Sequence, residues 1–309
     1  MTRFATVGVG RIRPSVYPGV DRAHEEEEAV REIHVDQVAD AVARLVQEAN
    51  FKLSDDVVRA LSQAQSLEEA PVGQTVLLQI VENYTIAETE QVPMCQDTGV
   101  ALVFLEIGQD VHLVGGDLYE AINRGVARGY TEGRLRMSML NDPIKRVNTR
   151  DNTPAMIYVD IVPGDQLRIK VDTKGGGSEN MSQLKMLPPS AGWEGAKRFI
   201  VETVAAAGPN ACPPLVVGVG IGGNFDKCAL LAKKALLREV GAPNPDPEWA
   251  AREQELLTEI NKLGVGPMGL GGTVTALAVH IEVMGCHITA LPVAVNIECH
   301  SHRHKEVTL

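Results

Sequence analysis

Cysteine is the residue type in this chain with the widest chemical reach, and five are present: Cys95, Cys212, Cys228, Cys286 and Cys299. An odd, sparse set spread over 309 residues does not make a disulfide framework. No C-x-x-C occurs, which excludes a zinc ribbon or a ferredoxin-type cluster run. Two readings stay open: buried thiols serving as small hydrophobes, or widely spaced ligands that the fold gathers. Cys95 lies in a Pro-Met-Cys-Gln-Asp-Thr-Gly loop ahead of a strand-like run, and Cys212 in Asn-Ala-Cys-Pro-Pro ahead of another. Cys299 closes a third run at Asn-Ile-Glu-Cys-His. Such element ends offer backbone amides and room for ligation. Cys228 falls on a helical stripe with Phe225, Leu231 and Ala232 and reads as a core thiol, while Cys286 has no supporting spacing. Three thiolates would leave one iron of a four-iron cluster open, able to act as a Lewis acid on a substrate hydroxyl.

Other polar groups surround these positions in the sequence. Gln96 and Asp97 would put an amide and a carboxylate beside such an iron, although Asp-Thr-Gly is also good Asx-turn chemistry. The Lys174-Gly-Gly-Gly-Ser178 loop offers successive backbone N–H groups, a nest for an anion, without the order of a phosphate loop. Val217-Gly-Val-Gly-Ile-Gly-Gly223 has the wrong spacing for a dinucleotide fingerprint. His300, His302 and His304 alternate with Ser and basic residues and are expected on a solvated tail.

The elements that must position these groups are of both kinds. Val35, Val38, Val42, Leu45, Val46 and Ala49 make a helical stripe, Ser54-Asp55-Asp56 starts a second helix, and Val76–Tyr84 carries a third. Strand-like runs follow at 100–107, 155–162 and 166–171, with a helix at 117–132 between the first two. Helices are expected at 192–207, 225–239 and 247–262, and strands at 215–221, 274–283 and 288–297. The fold class is mixed α+β: a helical N-terminal third followed by a mixed sheet with packed helices. Residues 1–30, with Glu25–Glu28, read as a mobile extension to one domain over 31–309.

Composition bounds the function. Lys plus Arg is 29 and Asp plus Glu 40, a formal charge of −11, which disfavours nucleic acid or an anionic membrane as partner. Without a signal-like segment or a long apolar run, a cytoplasmic protein is expected.

Four long motifs end the anonymity: PMCQDTGVALVFLEIGQDV at 93–111, TKGGGSENMSQLKMLPPSAGWEGAKRFIVETV at 173–204, CPPLVVGVGIGGNFDKCALLAKKALLR at 212–238, and GPMGLGGTVTALAVHIEVMGCHITALPVAVNIECHSHRH at 266–304. Together they resemble the alpha subunit of two-subunit class I fumarate hydratases and the similar L-tartrate dehydratases. The resemblance implies a [4Fe-4S] cluster on Cys95, Cys212 and Cys299, with Cys228 and Cys286 structural. It implies substrate contacts from Gln96, from Arg136 in Leu-Arg-Met-Ser, and from the backbone of Gly175, Gly176 and Gly177. Asp97 and His287 match the acid-base groups. It also implies a beta subunit that supplies the remaining site groups, in an α2β2 assembly. The expected activity is reversible hydration of fumarate to (S)-malate, with L(+)-tartrate dehydration as the alternative. A regulatory or electron-transfer iron-sulfur protein is the reading from a different class, and three cysteines rather than four weigh against it.

Overall fold

The computed structural model describes residues 30–309, and Arg31–Leu309 form one compact unit. Apart from Val30, the extension expected over 1–30 lies outside the described residues.

Apolar periodicity fixes the N-terminal helices. In α1 (Val35–Phe51) Val38, Val42, Leu45, Val46 and Ala49 are all fully buried, and each such Val or Leu side chain contributes about 1.5–3 kcal/mol. A reciprocal cap starts the helix: His34 Nδ1 accepts from the Asp36 N–H, and Gln37 Oε1 accepts from the His34 N–H. Helix α2 (Asp55–Leu67) begins after Ser54 as expected, yet Ser54 Oγ donates to the His304 carbonyl instead of capping. Helix α3 (Pro71–Glu90) opens on proline, whose fixed φ suits a first turn.

Two four-stranded sheets carry the remainder, where one mixed sheet was expected. In the first, β2 (Val100–Gly108) lies between β4 (Met156–Val162), parallel to it, and β5 (Leu167–Lys174), antiparallel. Strand β10 (His304–Thr308) pairs antiparallel with the other side of β5. The second sheet runs β6 (Gln183–Leu187), β9 (Leu291–Glu298), β7 (Leu215–Gly223), β8 (Ala276–Cys286), with only β7 and β8 parallel. A short parallel pair, β1 (Arg31–His34) with β3 (Val111–Val114), completes the strands. Helices α1 and α4 (Leu118–Glu132) pack on the first sheet, and α6 (Gly192–Ala207) and α8 (Pro247–Asn261) on the second. A third core joins α2 and α3 to Val216 and Ala278 of the second sheet.

The glycines of Val-Gly-Val-Gly-Ile serve packing rather than nucleotide binding. Helix α7 (Phe225–Leu236) lies so close to β7 that a Cβ on Gly218 would stand 2.2 Å from the Ala232 carbonyl oxygen. A Cβ on Gly220 would stand 2.2 Å from that of Cys228.

A further expectation fails. The segment after Cys299 is not a solvated tail: Ser301, His302 and Arg303 are buried, and β10 follows them into the first sheet. Lys305, Glu306 and Thr308 interrupt the apolar pattern, so no strand signal reaches the sequence there. The tail is held by Tyr84 of α3, whose hydroxyl lies 3.1 Å from Ser301 Oγ and also meets His300 Nδ1.

Topology then brings the loops together. Register places the start of β2 beside the end of β5 and the start of β4, and β10 begins at the same end. In the second sheet the starts of β7 and β8 and the end of β9 coincide. Lys174, the last residue of β5, donates from Nζ to the Ile297 carbonyl of β9 at 2.7 Å and so joins the two ends. The loops bearing Cys95, Gly175, Cys212 and Cys299 therefore share one rim.

Candidate active site

Helices hold the Cys95 loop from beneath. The Met94 N–H donates to the Asn50 carbonyl of α1 at 3.1 Å, and Asn83 Nδ2 of α3 donates to the Met94 carbonyl at 2.8 Å. Cys95 is half-buried; its thiol donates to Gln96 Oε1 at 3.4 Å and accepts from the Asp97 N–H at 3.4 Å. Asp97 does form the Asx turn, with Oδ1 accepting from the Gly99 N–H at 3.0 Å. Its other oxygen, Oδ2, accepts from the Gly176 N–H at 2.8 Å, at the head of the single helical turn α5 (Gly176–Glu179). One carboxylate thus clasps two loops. Of the three glycines in the expected anion nest, Gly176 is already engaged by Asp97, while Gly177 is exposed beside it.

Arg136 is clipped to the same loop through its backbone. Its N–H donates to Thr98 Oγ1 at 2.9 Å, and that hydroxyl donates to the Arg136 carbonyl at 3.1 Å. The exposed guanidinium forms no ion pair among the described residues. Buried Asn152 sets the course of the segment beyond: its Oδ1 accepts from the Ser138 and Met139 N–H groups, and its Nδ2 donates to the Gly99 carbonyl. Asn152 holds φ 60, a conformation that asparagine tolerates better than most residues.

Cys212 ends the 3-10 turn Gly208–Ala211 in a left-handed conformation, φ 54. A non-glycine residue held there by its surroundings costs roughly 1–3 kcal/mol and often marks a functional position. Its carbonyl accepts from the His300 N–H at 3.3 Å, so Cys212 and Cys299 neighbour one another. Burial pushes the Cys212 thiol up, and Cys95 and Asp97 nearby push it further. Cys299 is pushed up to about 12, by burial first and then by the adjacent Glu298 carboxylate.

Beneath the rim lies a buried polar network. Lys174 Nζ meets Ser178 Oγ at 2.8 Å and Glu298 Oε2 at 3.2 Å. Burial pushes Lys174 down, but Glu298 and Glu179 outweigh it and the net shift is up. The lysine stays charged. Beside the rim opens a cavity of about 650 Å³, with Arg136, Arg146, Lys174 and Lys233 set against Asp97 and Glu179. In a chain of charge −11, a cavity with an excess of cations is suited to an anion. A second cavity, about 550 Å³ and lined by Arg59, Glu239 and Asn261, contains none of the residues flagged in the sequence.

His287 does not join the others within one chain. It is exposed at the β8–β9 turn, where Nδ1 meets Thr289 Oγ1 at 2.9 Å. Glu298 pairs at the level of Val216 and Cys286 at the level of Gly223. That separation of seven residues is roughly 23 Å of strand. Cys286 shares the exposed turn, and Cys228 is fully buried, its thiol donating to the Gly220 carbonyl at 3.2 Å. Among the described residues no group of three His, Cys, Asp or Glu side chains is arranged to hold a lone metal ion.

The sequence model of one family, fumarate hydratase (Fumerase), matches residues 39–308. The chain belongs to that family. A chain of Methanocaldococcus jannaschii, provisionally named L(+)-tartrate dehydratase subunit alpha, is 45% identical over 273 residues, which cover 86% of this chain and 95% of that one. The L(+)-tartrate dehydratase subunit alpha of Escherichia coli UTI89 is 34% identical, covering 87% and 89%. That of Shigella boydii is 33% identical over the same shares. Hydratase and dehydratase name opposite directions of the same class of reaction, addition or loss of water at a carbon–carbon bond, so the chain belongs among hydro-lyase subunits. No helix among the described residues is long and apolar enough to cross a membrane.

Several residues at the rim carried no signal of their own in the sequence. Lys174 was visible only as the start of a glycine loop, Asn152 as turn punctuation, and Arg303 as one basic residue among histidines.

Proposed function

We propose that the chain is the cluster-bearing alpha subunit of a class I fumarate hydratase-type hydro-lyase, interconverting fumarate and (S)-malate with a beta subunit in an α2β2 assembly. The observation that carries this reading is the gathering of Cys95, Cys212 and Cys299 from three separate loops beside a cationic cavity. The donor set fits a [4Fe-4S] cluster: three soft thiols, and a buried guanidinium, Arg303, whose Nε has no hydrogen-bond partner among the described residues. When bound, the cluster would supply Lewis-acid chemistry at a substrate hydroxyl. Arg136 would grip one carboxylate, and Gln96 and the glycine turn, chiefly at exposed Gly177, would contact the rest of the substrate. These groups offset the charge that builds up when a proton leaves the carbon next to a carboxylate. Asp97 would hold or move a proton from its position between Gly99 and Gly176. His287 stands too far from its own cysteines, so an acid-base role for it requires a second alpha chain to bring its own β8–β9 turn to the rim.

The names of the relatives favour L(+)-tartrate as a second substrate reading, because the α-hydroxy dicarboxylate skeleton is common to both. Anaerobic reconstitution of the alpha chain with its beta partner, assayed with (S)-malate and L(+)-tartrate side by side, tests both. Dehydration of malate with the higher kcat/KM supports the first reading, and the reverse order selects the second. A wild-type chain that takes up neither iron nor sulfide overturns the cluster altogether.

A further inference from the structure

Arg303 is the largest fully buried side chain described, yet among the described residues it pairs with no carboxylate. Its Nη1 donates to Asn50 Oδ1 at 3.2 Å and to the Asp97 carbonyl, both neutral oxygens. Its Nε is buried without a hydrogen-bond partner among the described residues. A Cβ on Gly175 would stand 3.3 Å from Nη2, so the guanidinium also floors the glycine turn. Shutting a cation away with only neutral acceptors is costly unless an anion faces it. The charge does persist: a guanidinium is not deprotonated in a protein, and the net shift of Arg303 is up despite its burial. Both rim loops meet it: Cys299 stands four residues before Arg303, and Cys95 two residues before Asp97, whose carbonyl Arg303 binds.

Resting on the cluster reading above, we infer that Arg303 is the positioning residue of the cluster, acting as buried counter-ion and N–H donor to its Cys95 and Cys299 side. A [4Fe-4S] core in its resting 2+ state with three thiolates carries a single net negative charge, which one guanidinium balances. Hydrogen bonds and charge next to cluster sulfurs set both potential and retention. The bonds to Asn50 and Asp97 fix the guanidinium between α1, the Cys95 loop and the Cys299 loop, so the same side chain sets the distance between two ligands.

The test uses the reconstituted complex with beta subunit, in wild-type form and as Arg303→Gln and Arg303→Lys. Iron and sulfide content, iron loss to a chelator, the reduction midpoint by EPR-monitored titration and far-UV circular dichroism are measured on each. Arg303→Gln should shift the midpoint to lower potential, because adding an electron is harder without the cation. It should also lose iron about ten- to a hundredfold faster, the scale of a removed supporting contact. Arg303→Lys keeps the charge and loses the planar fork; its midpoint should stay nearer wild type while iron loss still accelerates. A merely structural role would lower the melting temperature and leave the midpoint of folded Arg303→Gln unchanged, which overturns the inference. If Arg303→Gln does not fold, Arg303→Lys decides: retention of iron equal to wild type overturns it. A wild-type complex without iron and sulfide instead overturns the cluster itself, so the two failures are distinguishable.

Discussion

The two ends of the β7–β8–β9 sheet come from one continuous stretch of sequence, and they are built on opposite principles. At one end Cys212 and Cys299 sit among clasped loops, with Lys174, Glu298 and Arg303 shut away and bonded to backbone. At the other, Met284, Cys286, His287 and Ile288 stand exposed on a turn whose polar contacts are local. Buried charge is tolerated only where geometry is fixed, so the first end is preorganised for chemistry. The second end offers reach and apolar surface, the properties of a group that acts on or through another chain.

The largest effect expected from this contrast is all-or-none. Cys95→Ser, Cys212→Ser and Cys299→Ser should each abolish reconstitution of the iron-sulfur absorbance, whereas Cys228→Ser and Cys286→Ser should leave it at wild-type level. Loss of absorbance in a folded Cys286→Ser chain would move chemistry to the exposed end and break the comparison. Next in size is proton movement. Asp97→Asn should lower kcat by about 10²–10⁴-fold with the cluster spectrum retained. His287→Asn should do the same only through a neighbour: inactive chains carrying Cys299→Ser and inactive chains carrying His287→Asn should regain activity when assembled together. A His287→Asn enzyme with kcat within about twofold of wild type would confine the chemistry to the cysteine end. Smaller again is Arg136→Lys, which keeps charge but loses bidentate geometry. KM should rise roughly tenfold, about 1.4 kcal/mol, with less change in kcat; an unaltered KM would remove Arg136 from carboxylate binding.

Legibility in the sequence followed the physics of each element. Long stripes such as Val38–Ala49 and the apolar run of β7 announced themselves, because one buried face imposes a period over many residues. The short strands β1, β3, β6 and β10 did not, since four or five half-exposed residues carry too little pattern. Placement of Cys95, Cys212 and Cys299 at element ends was readable; that the three ends meet was not, because register and crossover decide it. Asp97 shows the limit most plainly. Its Asx turn is a local property of Asp-Thr-Gly, but its bond to Gly176 spans 79 residues and exists only in the fold. Arg303 and the histidines around it were misread for the same reason: a polar string is taken as solvated until distant Tyr84 and Asn50 are known to cover it.

That buried string gives the effect of smallest size, on stability rather than activity. His280 of β8 is held down at about 4, by burial first and then by Arg238, and its Nδ1 donates to the Ala235 carbonyl. His302 and His304, with ring centroids 4.4 Å apart, are both pushed down by burial and then by a neighbouring histidine. All three are neutral in the fold at pH 7, while the unfolded chain titrates near 6.5. Below that pH the unfolded state binds more protons, so stability is full above about 6.5 and falls as pH drops toward 4. Asp172 acts in the opposite sense. Burial, and then Glu298, raises it to about 7, so the folded state holds a proton there that the unfolded state lacks. His300 is likewise pushed down to about 4, by burial first and then by Arg303, so four protons are taken up on unfolding against one released, a net uptake of about three near pH 5. The urea midpoint of the alpha chain, flat from pH 8 to 7, should therefore decline steadily from pH 6 to 4.5. His280→Asn together with His302→Asn should flatten that decline. A midpoint as steep in the double variant as in the wild type would place the acid sensitivity elsewhere than in the histidines packed behind the rim.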